Sequence, residues 1–395
     1  MRIPIIPFLA ALAISFVIDF YIFKKAKQRC QSKIPHKIHI WASLLQYILL
    51  VVAVFIPMRT GENSILLTKM WCLFAYMTLF IPKLIFVLFD LLESLPKLIN
   101  RKRFSGLSIL GGLIAFLTFC LMWWGALINR FDIDVTQETV VIENLPEAFD
   151  DYKIIQISDL HVGTYGDNTE FIARLVDYLN NLNPDLIAFT GDIVNRKTDE
   201  ITLFKNILSD LTASDGVVSI LGNHDYGDYY NWDSDSAKAQ SLTNLINIQN
   251  EMGWNLLLNQ HLYIKHGSDS IAVIGVEDIG DPPFTVRGDL KASYPDLSDN
   301  VTKILLSHNP THWSNEIADN RDISIALTLS GHTHAMQFEL FGLSPAVLRY
   351  NSWKGMYSDK ANQHKLYVNI GIGTVALPMR IGATPEITII TLKRS

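Results

Sequence analysis

The sequence predicts an N-terminal α-helical membrane region followed by a layered α/β domain. Three observations predict it. Four long apolar runs fill the first 130 residues, and strand-like and helix-like segments alternate from about Thr136 onward. Charge also divides between the halves. Residues 1–128 carry 14 Lys/Arg against 4 Asp/Glu and the remainder 19 against 35, within 395 residues of net charge −6. The regions expected are 1–130 and 131–395. Only 18% of residues are charged, below the quarter usual for soluble domains, and mean hydropathy is +0.20. With 22 Gly, 15 Pro and 3 Cys, disorder, collagen-like repeats and a disulfide scaffold are excluded. The acidic second half argues against a nucleic-acid partner, which needs a basic footprint.

The apolar runs are Ile3–Phe23, Ile38–Met58, Ile65–Leu92 and Leu107–Ile128. Each is near or above the roughly 20 residues a helix needs to cross a bilayer. The first is too long for a removed signal peptide and lacks a small-residue cleavage site. Lys24, Lys25, Lys27, Arg29, Lys33 and Lys37 fill the first loop, and Lys97, Arg101, Lys102 and Arg103 the third. The second, Arg59 to Ser64, has one Arg and one Glu. Positive residues gather on the cytoplasmic side. Loops one and three are therefore expected inside, with the domain after Ile128 outside the cytoplasm on a cell inner-membrane protein. Asp19, Lys83 and Asp90 lie within the spans. They are expected to pair or snorkel, Lys83 sharing a helical face with Asp90, since no span repeats the polar stripe of a transport pathway. Cys30, Cys72 and Cys120 all fall in this half, so the second half has no disulfide or thiol chemistry.

In the second half, strands are expected at Tyr152–Ser158, Asp185–Thr190, Gly216–Leu221, Ser270–Val276, Lys303–Ser307, Ser324–Leu329, Lys365–Ile370 and Glu386–Leu392. Asn168–Leu182 has helical period, with Phe171, Leu175, Val176 and Leu179 on one side, and Thr202–Leu211 reads as a second helix. Tyr226–Ser236, Asp281–Asn300 and Met336–Gln363 read as insertions.

Polar residues follow the strands. The first strand stops at Asp159-Leu-His161, the second at Gly191-Asp192-Ile-Val-Asn195 and the third at Gly222-Asn223-His224-Asp225. Two later strands stop at Ser307-His308 and at Gly331-His332-Thr333-His334. Strand carboxyl ends are where open α/β sheets build sites, and they bring together groups far apart in sequence. Asp, Asn and His without thiolate suit Mn, Fe or Zn. Seven such groups exceed what one catalytic zinc takes. They match two divalent ions about 3.5–4 Å apart sharing a carboxylate.

Asp159-x-His161, Gly191-Asp192, Gly222-Asn223-His224-Asp225, His308 and Gly331-His332-x-His334 together resemble the signature of the calcineurin-like metallophosphoesterase superfamily, over roughly residues 136–395. The ending, Gly371-Ile-Gly373 through Pro378-Met-Arg380-Ile-Gly382 to Pro385-Glu386-Ile387, is similar to its membrane-attached branch. The resemblance implies a four-layer α/β/β/α sandwich around two metals. One metal would take Asp159, His161 and His334; the other Asn223, His308 and His332, with Asp192 bridging. His224 would face the substrate phosphate, oriented by Asp225. Where branch members usually follow the double-His motif with two glycines and a Gln, this chain has Ala335-Met336-Gln337.

The function expected is a membrane-bound, two-metal phosphoesterase acting on the phosphoester or pyrophosphate bond of a lipid-linked substrate, with the bilayer as partner. Tyr226, Tyr229, Tyr230, Trp232, Trp353 and Tyr357 are candidates to rim its pocket or to anchor at the membrane interface. Two alternatives stand beside it. One is a UDP-2,3-diacylglucosamine pyrophosphatase of lipid A synthesis, which needs a cytoplasmic site. The other is a non-catalytic metal-sensing domain on a transporter.

Overall fold

The computed structural model describes residues 5–29, 31–57, 59–99, 102, 106–280 and 285–395. Cys30, Arg101, Arg103, the start of the first apolar run and residues 281–284 of the second insertion lie outside them. The chain divides into two compact units, Met1–Ile128 with Ala376–Met379, and Asn129–Val375 with Arg380–Ser395.

The first unit is built from α1 (Ile5–Arg29), α2 (Ile34–Phe55), α3 (Asn63–Ser94) and α4 (Leu107–Leu127). All four are long and apolar enough to cross a membrane. Their polar residues meet in two clusters. Lys83 Nζ donates to Asp19 Oδ1 (2.8 Å), Gln46 Oε1 (2.7 Å) and Ser43 Oγ (3.2 Å), while Tyr47 donates to Asp19 Oδ2 at 2.6 Å. Asp90 accepts from Tyr21 at 2.5 Å and Ser108 at 2.7 Å, and pairs with Lys25 at 2.9 Å. Lys83 therefore pairs across helices with Asp19 rather than along its own helix with Asp90. Seven residues are about 10 Å of helix rise, more than a lysine spans when a neighbouring carboxylate lies closer.

In the second unit the elements are, in chain order, β1 (Asp134–Ile142), β2 (Lys153–Ile157), α5 (Glu170–Asn181), β3 (Leu186–Phe189), α6 (Lys205–Leu208), β4 (Val217–Ser219), α7 (Asp235–Glu251), β5 (Asn255–Leu256), β6 (Gln260–His266), β7 (Asp269–Gly275), α8 (Leu290–Ser293), β8 (Lys303–Leu306), β9 (Leu327–Ser330), β10 (Gly355–Ser358), β11 (Lys365–Val368) and β12 (Glu386–Arg394). They form two six-stranded mixed sheets, ordered β1-β12-β2-β3-β4-β5 and β10-β11-β9-β8-β7-β6.

Period two sorts the strand side chains between layers. Ile154, Leu186 and Ala188 face Ile304, Leu306, Leu327 and Leu329 across the gap between the sheets. Ile155, Ile157, Ile187 and Phe189 face the other way, onto Phe171, Leu175 and Leu179 of α5 and Leu245 of α7. On the outside of the second sheet, Ala272, Ile274 and Leu305 pack under Leu290, Trp313 and Ile317. The result is a helix–sheet–sheet–helix sandwich whose parallel strands β2, β3, β4, β8 and β9 point their carboxyl ends at one rim.

The Thr202–Leu211 helix shortens to α6. Beyond its end the Asn180 side chain donates to Asp210 O (2.7 Å) and accepts from Thr212 N (2.8 Å). Helix α7, strand β6 and strand β10 fall where the sequence showed no clear period. Helix α7 buries only Leu245 and Gln249, so its apolar stripe is thin, though Ser234 caps it by accepting from Ala237 N.

Candidate metal centre

Each strand end delivers its polar cluster to the same rim. Asp159 and Asp192 are buried, as are His161, His308 and His334. Asp159 Oδ1 lies 3.1 Å from His334 Nε2 and 3.8 Å from His161 Nε2. The two histidine Nε2 atoms are 3.1 Å apart. Asp192 Oδ2 stands between the halves of the site, 3.1 Å from His308 Nε2 and 3.6 Å from His161 Nε2. On the far side, Asn223 Oδ1 lies 2.9 Å from His332 Nδ1, whose ring centroid is 5.1 Å from that of His308. All seven residues that the resemblance names as ligands converge.

The backbone is bent to achieve this. Asp159, His161, Asp192, His332 and His334 all have φ between 44° and 73°, a left-handed region costly for residues bearing Cβ. Such strain concentrates where a surrounding structure enforces it at functional sites. Gly331 is needed for close approach, since a Cβ there would lie 1.9 Å from Ser158 Oγ and 2.4 Å from Asp159 Oδ2.

The surrounding bonds orient the candidate ligand atoms. His161 and His308 turn Nδ1 to the backbone oxygens of Val194 (3.2 Å) and Thr190 (2.7 Å), which leaves Nε2 toward the centre. That second-layer arrangement is usual for metal-binding histidines. Asp159 Oδ1 and His308 Nε2 are buried without a hydrogen-bond partner among the described residues. Burial raises the Asp159 carboxyl, but His334 and His161 outweigh it and hold it well below the ordinary carboxylate range. Burial and the charge of His308 push His332 down to about 3, so its ring offers a lone pair. Burial lowers the His308 ring, but the Asp192 carboxylate beside it outweighs that and holds it well above the ordinary histidine range, a proton that a cation would displace. Two buried carboxylates facing four histidine rings fit a pair of divalent cations. Three overlapping groups could each hold an ion: Asp159–His161–His334, His161–Asp192–His224 and Asp159–Asp192–His308.

His224 and Asp225 do not meet as the resemblance implies. His224 Nδ1 lies 2.7 Å from Asn195 O, and its ring stacks on Tyr229 at 4.0 Å. The Asp225 carboxylate instead accepts from four backbone N–H groups, those of Asp192 and Gly222 at 2.9 Å, Ile193 at 3.0 Å and Val194 at 3.2 Å. Asp225 thus shapes the loop that carries Asp192, and the Asn195 carbonyl holds His224. An acidic residue next to a histidine in sequence is pointed away from it by the turn, which explains the difference.

Three participants were not apparent from sequence. Arg380, fully buried, donates to the oxygens of Gly373 (2.8 Å), Ala383 and Ile370 (both 3.0 Å), and its Nη2 lies 3.0 Å from His334 Nδ1. Its place in the Pro378-Met-Arg380-Ile-Gly382 ending was the available signal. Tyr350 OH lies 3.1 Å from His332 Nε2, and nothing in its insertion pointed there. Asn195 was visible only as the end of a polar cluster. Of the candidate rim aromatics, Tyr229 reaches the site through Asn223 Nδ2 (2.9 Å), whereas Tyr226 is buried and donates to Glu277.

Residues 152–336 match the calcineurin-like phosphoesterase family model, and residues 1–130 a model described as a probable calcineurin-like phosphoesterase transmembrane domain. The uncharacterized metallophosphoesterase YkuE of Bacillus subtilis is 33% identical over 66% of this chain and 86% of its own. This chain belongs to the calcineurin-like metallophosphoesterase family. As a transmembrane member it is similar to the zebrafish (Danio rerio) transmembrane protein with metallophosphoesterase domain, at 27% identity over 86% of this chain and 76% of that one. The UDP-2,3-diacylglucosamine pyrophosphatase LpxG of Chlamydia trachomatis is 26% identical over 68% of this metallophosphoesterase and 93% of LpxG.

Proposed function

We propose that this membrane metallophosphoesterase hydrolyses a phosphoester or pyrophosphate bond of a lipid-linked substrate, using two divalent ions of Mn, Fe or Zn. The observation that carries the reading is the position of Asp192 Oδ2 between His308 Nε2 and His161 Nε2, where one carboxylate oxygen can serve both ions. Asp159, His161 and His334 would hold one ion, and Asn223, His308 and His332 the other. When bound, the ions supply the charge that neutralises phosphoryl oxygens and lowers the pKa of water. His224, clamped between the Asn195 carbonyl and the Tyr229 ring, meets the phosphoryl group. Burial lowers its pKa, and a phosphoryl group beside it favours the doubly protonated form, which would hand a proton to the leaving oxygen. Asp225 is a positioning residue for the Asp192 loop.

The four spans, and the LpxG relatives, support a substrate with an apolar part. The Lys/Arg-rich first and third loops support a catalytic domain outside the cytoplasm, where nucleotide sugars are absent. The LpxG similarity favours a second reading, cleavage of UDP-2,3-diacylglucosamine, and that reading requires a cytoplasmic domain. An alkaline phosphatase fusion after Ser395 separates them: it is expected to be active, and a fluorescent-protein fusion dark. The purified enzyme is expected to prefer a lipid phosphoester in mixed micelles over its water-soluble headgroup. Equal kcat/KM for the two sinks the lipid element, and a cytoplasmic C-terminus moves the assignment to the nucleotide–lipid pyrophosphatase.

A further inference from the structure

The segment that follows the double-His motif inverts the usual burial pattern. Ser344 and Ala346 are buried, whereas Phe341 is 95% exposed, Leu348 89% and Leu343 73%, with Met336, Leu340 and Val347 about half exposed. Contiguous exposed apolar surface of this kind marks an interaction site. The segment is built rather than loose. Leu340 and Leu343 exchange backbone hydrogen bonds at 2.9 and 3.0 Å, which closes a two-residue turn at Phe341-Gly342 with φ of 53° and 77°. Turns of this type favour Asn-Gly, because both central residues are left-handed. A phenylalanine there is locally unfavourable and contributes nothing to the core, so the fold does not account for it. Ser344 Oγ donates to Ala335 O at 2.6 Å, and Tyr350 OH meets His332 Nε2 at 3.1 Å. Both ends of the apolar tip are thereby fastened to the loop that carries His332 and His334.

We propose that residues 336–350 form a lipid-docking hairpin that inserts Phe341, Leu343 and Leu348 into a bilayer surface and grips the apolar part of the substrate beside the metal centre. The proposal rests on the lipid-linked reading above. A bilayer is the occupant for two reasons. The chain carries its own bilayer with it, since α4 ends at Leu127 and β1 begins at Asp134. Charge agrees: residues 336–354 hold Glu339, Arg349 and Lys354, a net of +1 in a half whose sum is −16, and Lys354 is paired to Glu339 at 2.9 Å. The one acidic group of the segment is thus neutralised, which suits an anionic headgroup.

The test uses the full chain in phosphatidylcholine–phosphatidylglycerol vesicles. Single cysteines at 341, 348 or the control position Leu203, placed in a background lacking the native cysteines, carry an environment-sensitive dye, and doxyl lipids serve as quenchers. Quenching is expected at 341 and 348 and not at 203. In parallel, Phe341→Asp with Leu348→Asp is expected to cut the preference for lipid over aryl phosphoester at least tenfold, and Phe341→Leu with Leu348→Ile to restore it. Quenching at 341 and 348 no greater than at 203, or an unaltered preference in the double Asp variant, overturns the proposal. So does energy transfer between labels on two chains without lipid quenching, which makes the patch a self-association face. A wild type that shows quenching at 341 and 348 but no preference for lipid leaves the bilayer insertion standing and sinks the substrate grip together with the lipid-linked reading, so failure of the docking and failure of that reading are distinguishable.

Discussion

The helical unit and the catalytic unit each bury a cluster of charged groups, and the two clusters are finished differently. Around Lys83, an ammonium meets a carboxylate, an amide oxygen and a hydroxyl, and Tyr47 takes the second Asp19 oxygen. Donors and acceptors are matched, as a buried polar group requires. Around Asp192, two carboxylates and four imidazoles converge; Asp159 Oδ1 lies 3.1 Å from His334 Nε2 and Asp192 Oδ2 3.1 Å from His308 Nε2, yet neither Asp159 Oδ1 nor His308 Nε2 reaches hydrogen-bond geometry among the described residues. A matched cluster holds helices together; a surplus of lone pairs calls for a cation. Burial alone distinguishes neither, and charge count alone misreads the first as a transport site.

Breaking each cluster at one residue separates them. Asp192→Asn removes the carboxylate charge proposed to serve both ions and is expected to lower Mn²⁺-dependent hydrolysis of an aryl phosphoester by more than 10³-fold, with the circular dichroism spectrum unchanged. Activity near wild type with Mn²⁺ in excess is incompatible with a two-metal site. Lys83→Met is expected to leave the turnover of folded enzyme within about twofold and to lose roughly 3 kcal/mol of stability, since removing one partner of a buried pair strands the other charge. Denaturation in mixed SDS micelles measures it, and adding Asp19→Asn is expected to restore most of the loss. Absence of that rescue means the pair does more than hold helices.

A finer cut lies inside the catalytic cluster. Asn223→Ala is expected to lower bound metal, counted by elemental analysis. His224→Ala is expected to keep the metal and lose 10²–10⁴-fold in kcat, the usual range for a positioned acid or base. Asn195 holds His224 through a backbone carbonyl, so side-chain substitution there tests little. Should His224→Ala empty the site, His224 is a ligand and the group it forms with His161 and Asp192 is the occupied one.

Sequence carried the candidate set because chemistry at strand ends is written in residue type. Asp159, His161, Asp192, Asn223, His308, His332 and His334 are rare residues placed after apolar runs, and the sheets register them without further information. Local direction was not legible. That Asp225 turns to the backbone while Asn195 meets His224 depends on the path of a loop held by Glu200, whose Oε2 accepts from Asn195 N at 2.6 Å. The spans were legible from length and hydropathy, but not the partner of Lys83, because pairing across helices depends on rotation about each axis. Strands β1, β5, β6 and β10 escaped notice; they are the four edge strands of the two sheets, where the alternation of apolar and polar residues relaxes.

The smallest expected effect concerns Ala335 and Met336, which stand where branch members usually carry glycine. Both adopt left-handed backbone, with φ 48° and ψ 31° and 27°, as glycine would. An L-residue there costs about 1–2 kcal/mol, and glycine costs the unfolded chain about 0.5–1 kcal/mol in return. For Ala335 a third contribution closes the gap, since its fully buried methyl packs with Ile370 and Ala383 and a buried methylene equivalent is worth about 0.8 kcal/mol. Ala335→Gly is therefore expected to be neutral within about 0.5 kcal/mol. Met336 is 45% exposed and has less packing to lose, so Met336→Gly is expected to gain about 0.5–1 kcal/mol, a rise of roughly 1–3 °C in the Tm of a domain this size. Its cost falls elsewhere: with the side chain gone from the apolar hairpin, preference for a lipid phosphoester is expected to drop two- to threefold. Scanning calorimetry and paired kcat/KM measurements on one preparation read both. A Met336→Gly variant that is less stable and equally selective means the strain is relieved by contacts of the Met336 side chain, and that the side chain serves the fold rather than the lipid.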